Sequence, residues 1–317
     1  MRSTLRGALT FACLLAAAGL PAQTSPTPPR VLFLGNSLTD GNNVPALVQA
    51  MAQLQGVHFE YVALAPGGYA IEDHWTDGHQ SRLQQGNFAV LVLQQGPSTL
   101  PDSQAHLRQW AQTWANEARR FGTQPVLYMI WPVRTQANGF ALVSQSYRNA
   151  ALAADAAIFP AGEAWEQVLR DDPSLALYTA DNLHATPAGS FLAAMVIARG
   201  LVSLDPARVP TNVAGIILPA ATVARFRTVV AALPAASLIG PDAPAAPASA
   251  ITPTPAPGVS PTPTPSAATP ATGPGGGGAP SGWFCLALLS VSAARLLRHR
   301  LGQSDRDDWP RARLRPQ

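Results

Sequence analysis

The sequence predicts an α/β protein built on a parallel sheet, and three observations lead there. Apolar runs without alternation, such as Val31 to Leu34, Phe88 to Gln94 and Val126 to Pro132, have the pattern of strands covered on both faces. Between them lie longer stretches with apolar residues at helical spacing, and strands alternating with helices pack as parallel sheets with right-handed crossovers. The 317 residues also suffice for one domain of about 200 residues plus appendages.

Taken in order, Val31 to Leu34 is the first strand, and it runs into the small polar turn Gly35-Asn36-Ser37. Val44 to Gln55 carries Leu47, Met51 and Leu54 on one helical face and is closed by Gly56. Val57 to Leu64 is the second strand. Ile71 to His79 is a polar cluster with two histidines among carboxylates, whose spacing fits neither a closed tetrahedral zinc set nor a His-Glu-x-x-His helix. Phe88 to Gln94 is the third strand and is expected at the centre of the sheet. Pro101-Asp102-Ser103 starts a helix with Leu107, Trp110, Trp114, Ala118 and Phe121 along its buried stripe and Arg119 and Arg120 in its last turn. Val126 to Pro132 is the fourth strand, Phe140 to Ala154 a helix, Ala156 to Pro160 a short fifth strand and Ala164 to Arg170 a helix. Pro187 to Val202 is a helix with Pro187 at its first turn, and Thr222 to Leu233 a last packing helix. No internal repeat is visible.

Two separated motifs carry chemistry. A serine directly after a buried strand is exposed at the sheet's carboxyl edge, where open α/β sheets collect ligands. A serine hydroxyl needs a base to become a nucleophile, and an imidazole in that role benefits from a carboxylate that fixes its tautomer. Asp181 and His184, three residues apart in Asp181-Asn182-Leu183-His184, supply that pair.

With Ser37 after the first strand and Asp-x-x-His just before a late helix, the chain from Arg30 to Leu204 resembles the SGNH (GDSL-like) hydrolase superfamily. The resemblance implies a three-layer, flavodoxin-like, doubly wound parallel sheet of about five strands. It also implies a catalytic set of Ser37, His184 and Asp181, with no cofactor and no metal. Its second block supplies an oxyanion-hole glycine after the second strand, here Gly68 in Ala65-Pro66-Gly67-Gly68-Tyr69-Ala70. Its third block ordinarily supplies an asparagine, which is missing from Gln94-Gln95-Gly96-Pro97-Ser98. The Gln-Gly-x-Ser arrangement is similar to the carbohydrate O-acetylesterase branch, so the hole would consist of the Ser37 and Gly68 N–H groups and the Gln95 amide. A twist at the strand end would exchange Gln95 for Gln94, which is otherwise expected to point to the opposite face. Asn36, His74, Trp75 and Trp131 are expected to line the substrate pocket.

Charge and composition bound the partners. All 21 basic residues are arginine, and the net +3 resolves into +2 from Arg2 and Arg6, +4 from residues 295 to 317 and −3 between them. The basic footprint of a nucleic-acid binder is therefore absent from the domain. Arg2, Arg6, the apolar stretch from Ala8 to Leu20 and Pro21-Ala22 make residues 1–22 read as a secretory signal peptide. The two cysteines, Cys13 and Cys285, flank the domain, so residues 28–235 would fold without a disulfide. Residues 236–282 read as a Pro/Thr/Gly-rich linker, with 12 prolines between 241 and 282. Residues 283–317 combine a short apolar segment with arginines; they resemble bacterial CTERM-type sorting tails, with an interfacial helix or a read-through tail as the alternative readings.

The sequence thus points to an exported serine esterase, periplasmic, secreted or at the cell surface, acting on a small-molecule or polysaccharide ester, with the C-terminal segment as its candidate for membrane association. The alternative is an SGNH-like module that has lost catalysis and uses the cleft to hold a polysaccharide. The missing third-block asparagine favours that alternative, and the joint presence of Ser37, Asp181 and His184 opposes it.

Overall fold

The computed structural model describes residues 27–239. The expected signal peptide, the prolines of the linker and the segment 283–317 lie outside the described residues. The chain begins with β1 (Arg30–Leu34), which leads through a one-turn helix α1 (Ser37–Asp40) into α2 (Val44–Gln53). There follow β2 (Glu60–Leu64), the short helices α3 (Ile71–Thr76) and α4 (Ser81–Gly86), β3 (Phe88–Leu93) and the long α5 (Pro101–Arg120). The second half contains β4 (Gln124–Met129), α6 (Gly139–Ala154), β5 (Ala157–Pro160), α7 (Ala161–Asp171) and α8 (Pro187–Val202). A small hairpin of β6 (Asn212–Val213) and β7 (Ile216–Ile217) and a final helix α9 (Ala220–Ala232) complete the described chain.

The five strands β1 to β5 form one parallel sheet in the order β2-β1-β3-β4-β5. That is the doubly wound, flavodoxin-like order, in which the direction of winding reverses between β1 and β3. Helices α2 and α8 pack together, as do α5 and α6, giving the two outer layers. Leu34 lies opposite both Leu64 of β2 and Leu93 of β3, so these three strands end level with one another. The turns after all three therefore open onto one edge, at the reversal point. β1, β3 and β4 are almost wholly buried, which explains their unbroken apolar sequences.

Several helix ends are fixed by their sequences. Asn36 caps α1 by accepting from the Leu38 N–H, Thr186 caps α8 through the Gly189 N–H, and Pro101 and Pro187 occupy first turns where no amide hydrogen is needed. The expected strand and helix set is present with shifted ends: the second strand starts at Glu60 rather than Val57, and α7 runs from Ala161 to Asp171 rather than from Ala164 to Arg170. Helices α1, α3 and α4 leave no periodic signal in the sequence, because four to six residues are too few to display a helical period.

The packed chain continues past the expected boundary at 235. Ser203 and Leu201 bind Ala236, Leu238 and Ile239 through backbone hydrogen bonds, and the Ile239 side chain is buried. The linker reading of 236–239 is therefore corrected: apolar Leu238 and Ile239 have α8 to pack on.

Candidate active site

Ser37 is the first residue of α1, so its N–H has no intrahelical acceptor and its side chain stands at the edge of the sheet. Its Oγ is 2.9 Å from Nε2 of His184. His184 Nδ1 in turn is 2.5 Å from Oδ2 of Asp181. An ionised carboxylate can only accept, so the proton between them sits on Nδ1, leaving Nε2 as the lone pair that accepts the Ser37 hydroxyl. This is the tautomer a general base needs.

Asp181 is held ionised by its own loop. Its Oδ1 accepts from the Leu183 and His184 N–H groups, each at 2.9 Å, and from the Thr179 hydroxyl at 2.8 Å. The Leu183 backbone bond, the His184 side chain, the His184 backbone bond and the Thr179 hydroxyl together hold the carboxyl well below the ordinary range. The loop is closed by the Thr179 N–H on the His184 carbonyl and tied to the rest of the fold through the Arg134 N–H on the Asn182 carbonyl. Asn42, just past α1, donates to the Ala185 carbonyl and the Ser190 hydroxyl, fastening the serine side of the site to the histidine side.

The second block lies beside the first. Gly68 has φ +77° within a turn closed by the Tyr69 N–H on the Pro66 carbonyl, a left-handed conformation that glycine adopts without strain. The residue after it is bound directly to the residue before the serine: Asn36 Nδ2 donates to the Tyr69 carbonyl at 2.9 Å. Gln95, expected at the oxyanion hole, uses its carbonyl oxygen on the Ile71 N–H and one amide hydrogen on Ser98 Oγ. The second hydrogen of that amide remains to donate. Tyr147 donates to the Gln95 carbonyl and accepts from its N–H, and burial keeps this hydroxyl protonated by pushing its pKa far up.

Gln94 departs from expectation. It does not point away from the site; its amide lies against the Ser37 turn and is engaged at every position. Oε1 accepts from the Asn36 N–H at 2.9 Å and the Thr39 hydroxyl at 2.7 Å, while Nε2 donates to Asn36 Oδ1 at 3.0 Å and to the Gln95 carbonyl at 2.8 Å. With both hydrogens spent, Gln94 has none to offer an oxyanion. Gly35 makes room for this arrangement, since a Cβ there would fall 2.3 Å from Thr39 Oγ1 and 2.7 Å from Gln94 Oε1.

The expected pocket residues are mostly structural. His74 is fully buried beneath the turn, with Nε2 on the Gly35 carbonyl at 2.8 Å and Nδ1 on Nδ1 of His79 at 3.0 Å. Burial lowers its pKa, outweighing the Gly35 carbonyl, so it is neutral, donates from Nε2 and accepts from His79. It supports the Ser37 turn from behind and does not line the pocket. Trp131 is also fully buried: it stacks on Trp165 at 3.7 Å and donates its indole N–H to the Leu183 carbonyl at 2.8 Å. Its place is under the Asp181–His184 loop. Asn36 is buried too, its side chain consumed by Leu38, Gln94 and Tyr69. Trp75 packs on Trp110 and Trp114 of α5, with only partial exposure. The sequence signal in each case was a polar or aromatic residue near a strand end, which does not distinguish a pocket wall from the support beneath it.

Neither a protein-family model nor a curated protein sequence matches the chain. Among solved structures, a DUF4886 family protein from Bacteroides uniformis is similar at 15% identity and TM-score 0.55, over 64% of this chain and 93% of that one. A candidate SGNH hydrolase from Slackia heliotrinireducens has 26% identity and TM-score 0.47, over 54% of this chain and 98% of that one. An acetyl xylan esterase, AlAXEase, has 16% identity and TM-score 0.45, over 53% and 97%. The chain shares its fold, a five-stranded parallel sheet between helical layers, with the DUF4886 family protein. In this fold Ser37 follows β1, the Gly68 turn follows β2, the two glutamines follow β3, and Asp181 and His184 precede α8.

Proposed function

We propose that this protein is an exported serine esterase that removes short acyl groups, acetyl foremost, from a carbohydrate. One observation carries the esterase reading: the unbroken chain from Ser37 Oγ to His184 to Asp181, with the acceptor nitrogen facing the hydroxyl. Ser37 Oγ would add to the ester carbonyl as its proton passes to His184 Nε2. The oxyanion would be met by the Ser37 and Gly68 N–H groups and the remaining Gln95 amide hydrogen. The C–O bond then breaks, the alcohol leaves with the proton from His184, and water repeats the sequence on the acyl-enzyme.

The substrate class has its own support. The side chains of Asp181 and His184 are 50% and 41% exposed, so the triad lies open and a bulky alcohol such as a sugar chain can reach it. The Gln95-Gly96-Pro97-Ser98 arrangement resembles that of carbohydrate O-acetylesterases, and the N-terminal Arg2, Arg6 and apolar stretch support export. Among the described residues no helix is long and apolar enough to cross a membrane.

A fluorophosphonate probe followed by peptide mass spectrometry tests the nucleophile: the adduct is expected on Ser37. Release of acetate from acetylated xylan, compared with acetyl, butyryl and longer p-nitrophenyl esters, tests the substrate. Preference for long acyl chains would contradict the acetyl assignment.

A further inference from the structure

We infer that Gln94 is a positioning residue that sets the geometry of the oxyanion hole, through a hydrogen-bonded path from the end of β3 across the nucleophile turn to the Gly68 turn. The inference rests on the reading of Ser37 as nucleophile. The path is continuous. Nε2 of Gln94 is anchored on the Gln95 carbonyl and donates to Asn36 Oδ1; Nδ2 of Asn36 donates to the Tyr69 carbonyl, one residue from Gly68. Oε1 of Gln94 meanwhile holds the Asn36 N–H, one residue from the Ser37 N–H, and the Thr39 hydroxyl within α1.

The two backbone donors proposed for the oxyanion thus come from separate loops, and each loop is held at the neighbouring residue by the same Asn36–Gln94 pair. The Asn36 side chain cannot be turned over in this setting. Its Oδ1 already accepts from Leu38 N–H and Gln94, so the orientation of one amide dictates that of the other. At 1% exposure Gln94 meets no substrate, and it acts on the reaction only through Asn36 and the turn. Gly35 is the sequence counterpart of this device, since any side chain there would occupy the position of the Gln94 amide.

Two variants test the inference. Gln94→Met keeps length but removes donor and acceptor; kcat is expected to fall about 10²-fold with KM unchanged, the pattern of misplaced rather than missing groups. Gln94→Glu keeps the shape and gives a distinct readout. Protonated, its carboxyl can donate to Asn36 Oδ1 and accept from the Asn36 N–H. Ionised, it confronts Asn36 Oδ1 and the Gln95 carbonyl with no hydrogen. This variant should therefore acquire a loss of turnover on the alkaline side that the wild type lacks, with circular dichroism unchanged across the same range. A role in folding alone would shift stability and not this pH profile. Gln94→Glu decides the matter where Gln94→Met does not fold. Wild-type kcat in Gln94→Met, or a wild-type pH profile in Gln94→Glu, would overturn the inference while Ser37-dependent hydrolysis stood. A wild-type protein that never acylates Ser37 would remove the esterase reading and this inference together.

Discussion

Asp181 Oδ2 lies 2.5 Å from His184 Nδ1, while its other oxygen is filled by two backbone N–H groups and a hydroxyl. This division of labour makes Asp181→Asn a damaging change. The amide must turn its oxygen toward the Leu183 and His184 N–H groups, so its NH₂ faces His184 Nδ1 and forces the proton to Nε2. The base is then lost to the wrong tautomer, and kcat is expected to drop by about 10⁴, with little change in KM. Steady-state kinetics on a p-nitrophenyl acetate substrate would check this, and a loss under tenfold would mean that the carboxylate does not set the tautomer.

Trp131→Phe should preserve most of the stack on Trp165 while deleting the bond to the Leu183 carbonyl. The expected outcome is a stability loss of about 1 kcal/mol and a several-fold lower kcat, because the loop between Asp181 and His184 loses one anchor. Urea denaturation alongside kinetics separates the two effects. A selective rise in KM would instead return Trp131 to the substrate pocket.

The Gly35→Ala variant introduces a methyl into the space between Thr39 and Gln94. Overpacking of this kind costs about 1–3 kcal/mol, and the displaced turn carries Ser37, so activity should fall further than stability. A thermal scan and an ester assay on the same preparation would show it. Unchanged activity would place the turn farther from Gln94 than described.

How much of this was legible from residues alone follows from the physics of each element. β1, β3 and β4 are buried on both faces, so their apolar runs announced the sheet, and the Ser37 and Asp181-x-x-His184 motifs lay where strand and helix ends were already visible. The strand order came from resemblance, since no local pattern encodes which strands are neighbours. Gln94 and Gln95 could not be ordered, because side-chain alternation fails once a strand gives way to a turn. His74 and Trp131 were misplaced for a related reason: polar or amphipathic side chains near a site can serve it from beneath, and only tertiary packing tells which.

The buried His74 gives the fold an acid sensitivity of its own. Its pKa is lowered by burial, the His79 neighbour adding to this, while the Gly35 carbonyl, Asp73 and Asp77 oppose it. Below the ordinary histidine value of about 6.5 the unfolded chain takes up a proton that the folded one refuses, so stability is present above that pH and lost as pH falls toward the folded value. His74→Gln, which retains a donor for Gly35, should flatten the fall of the melting temperature as pH drops below about 6.5, relative to wild type. Parallel curves for the two proteins would show that His74 is not the group responsible.

Ester turnover by Ser37→Ala is the most direct test of all. The side chain is partly exposed and its loss removes no packing, so the variant should fold as the wild type does while kcat falls by about 10⁴ or more. If Ser37→Ala hydrolyses p-nitrophenyl acetate at the wild-type rate, Ser37 is not the nucleophile, and the chemistry assigned to His184 and Asp181 is wrong with it.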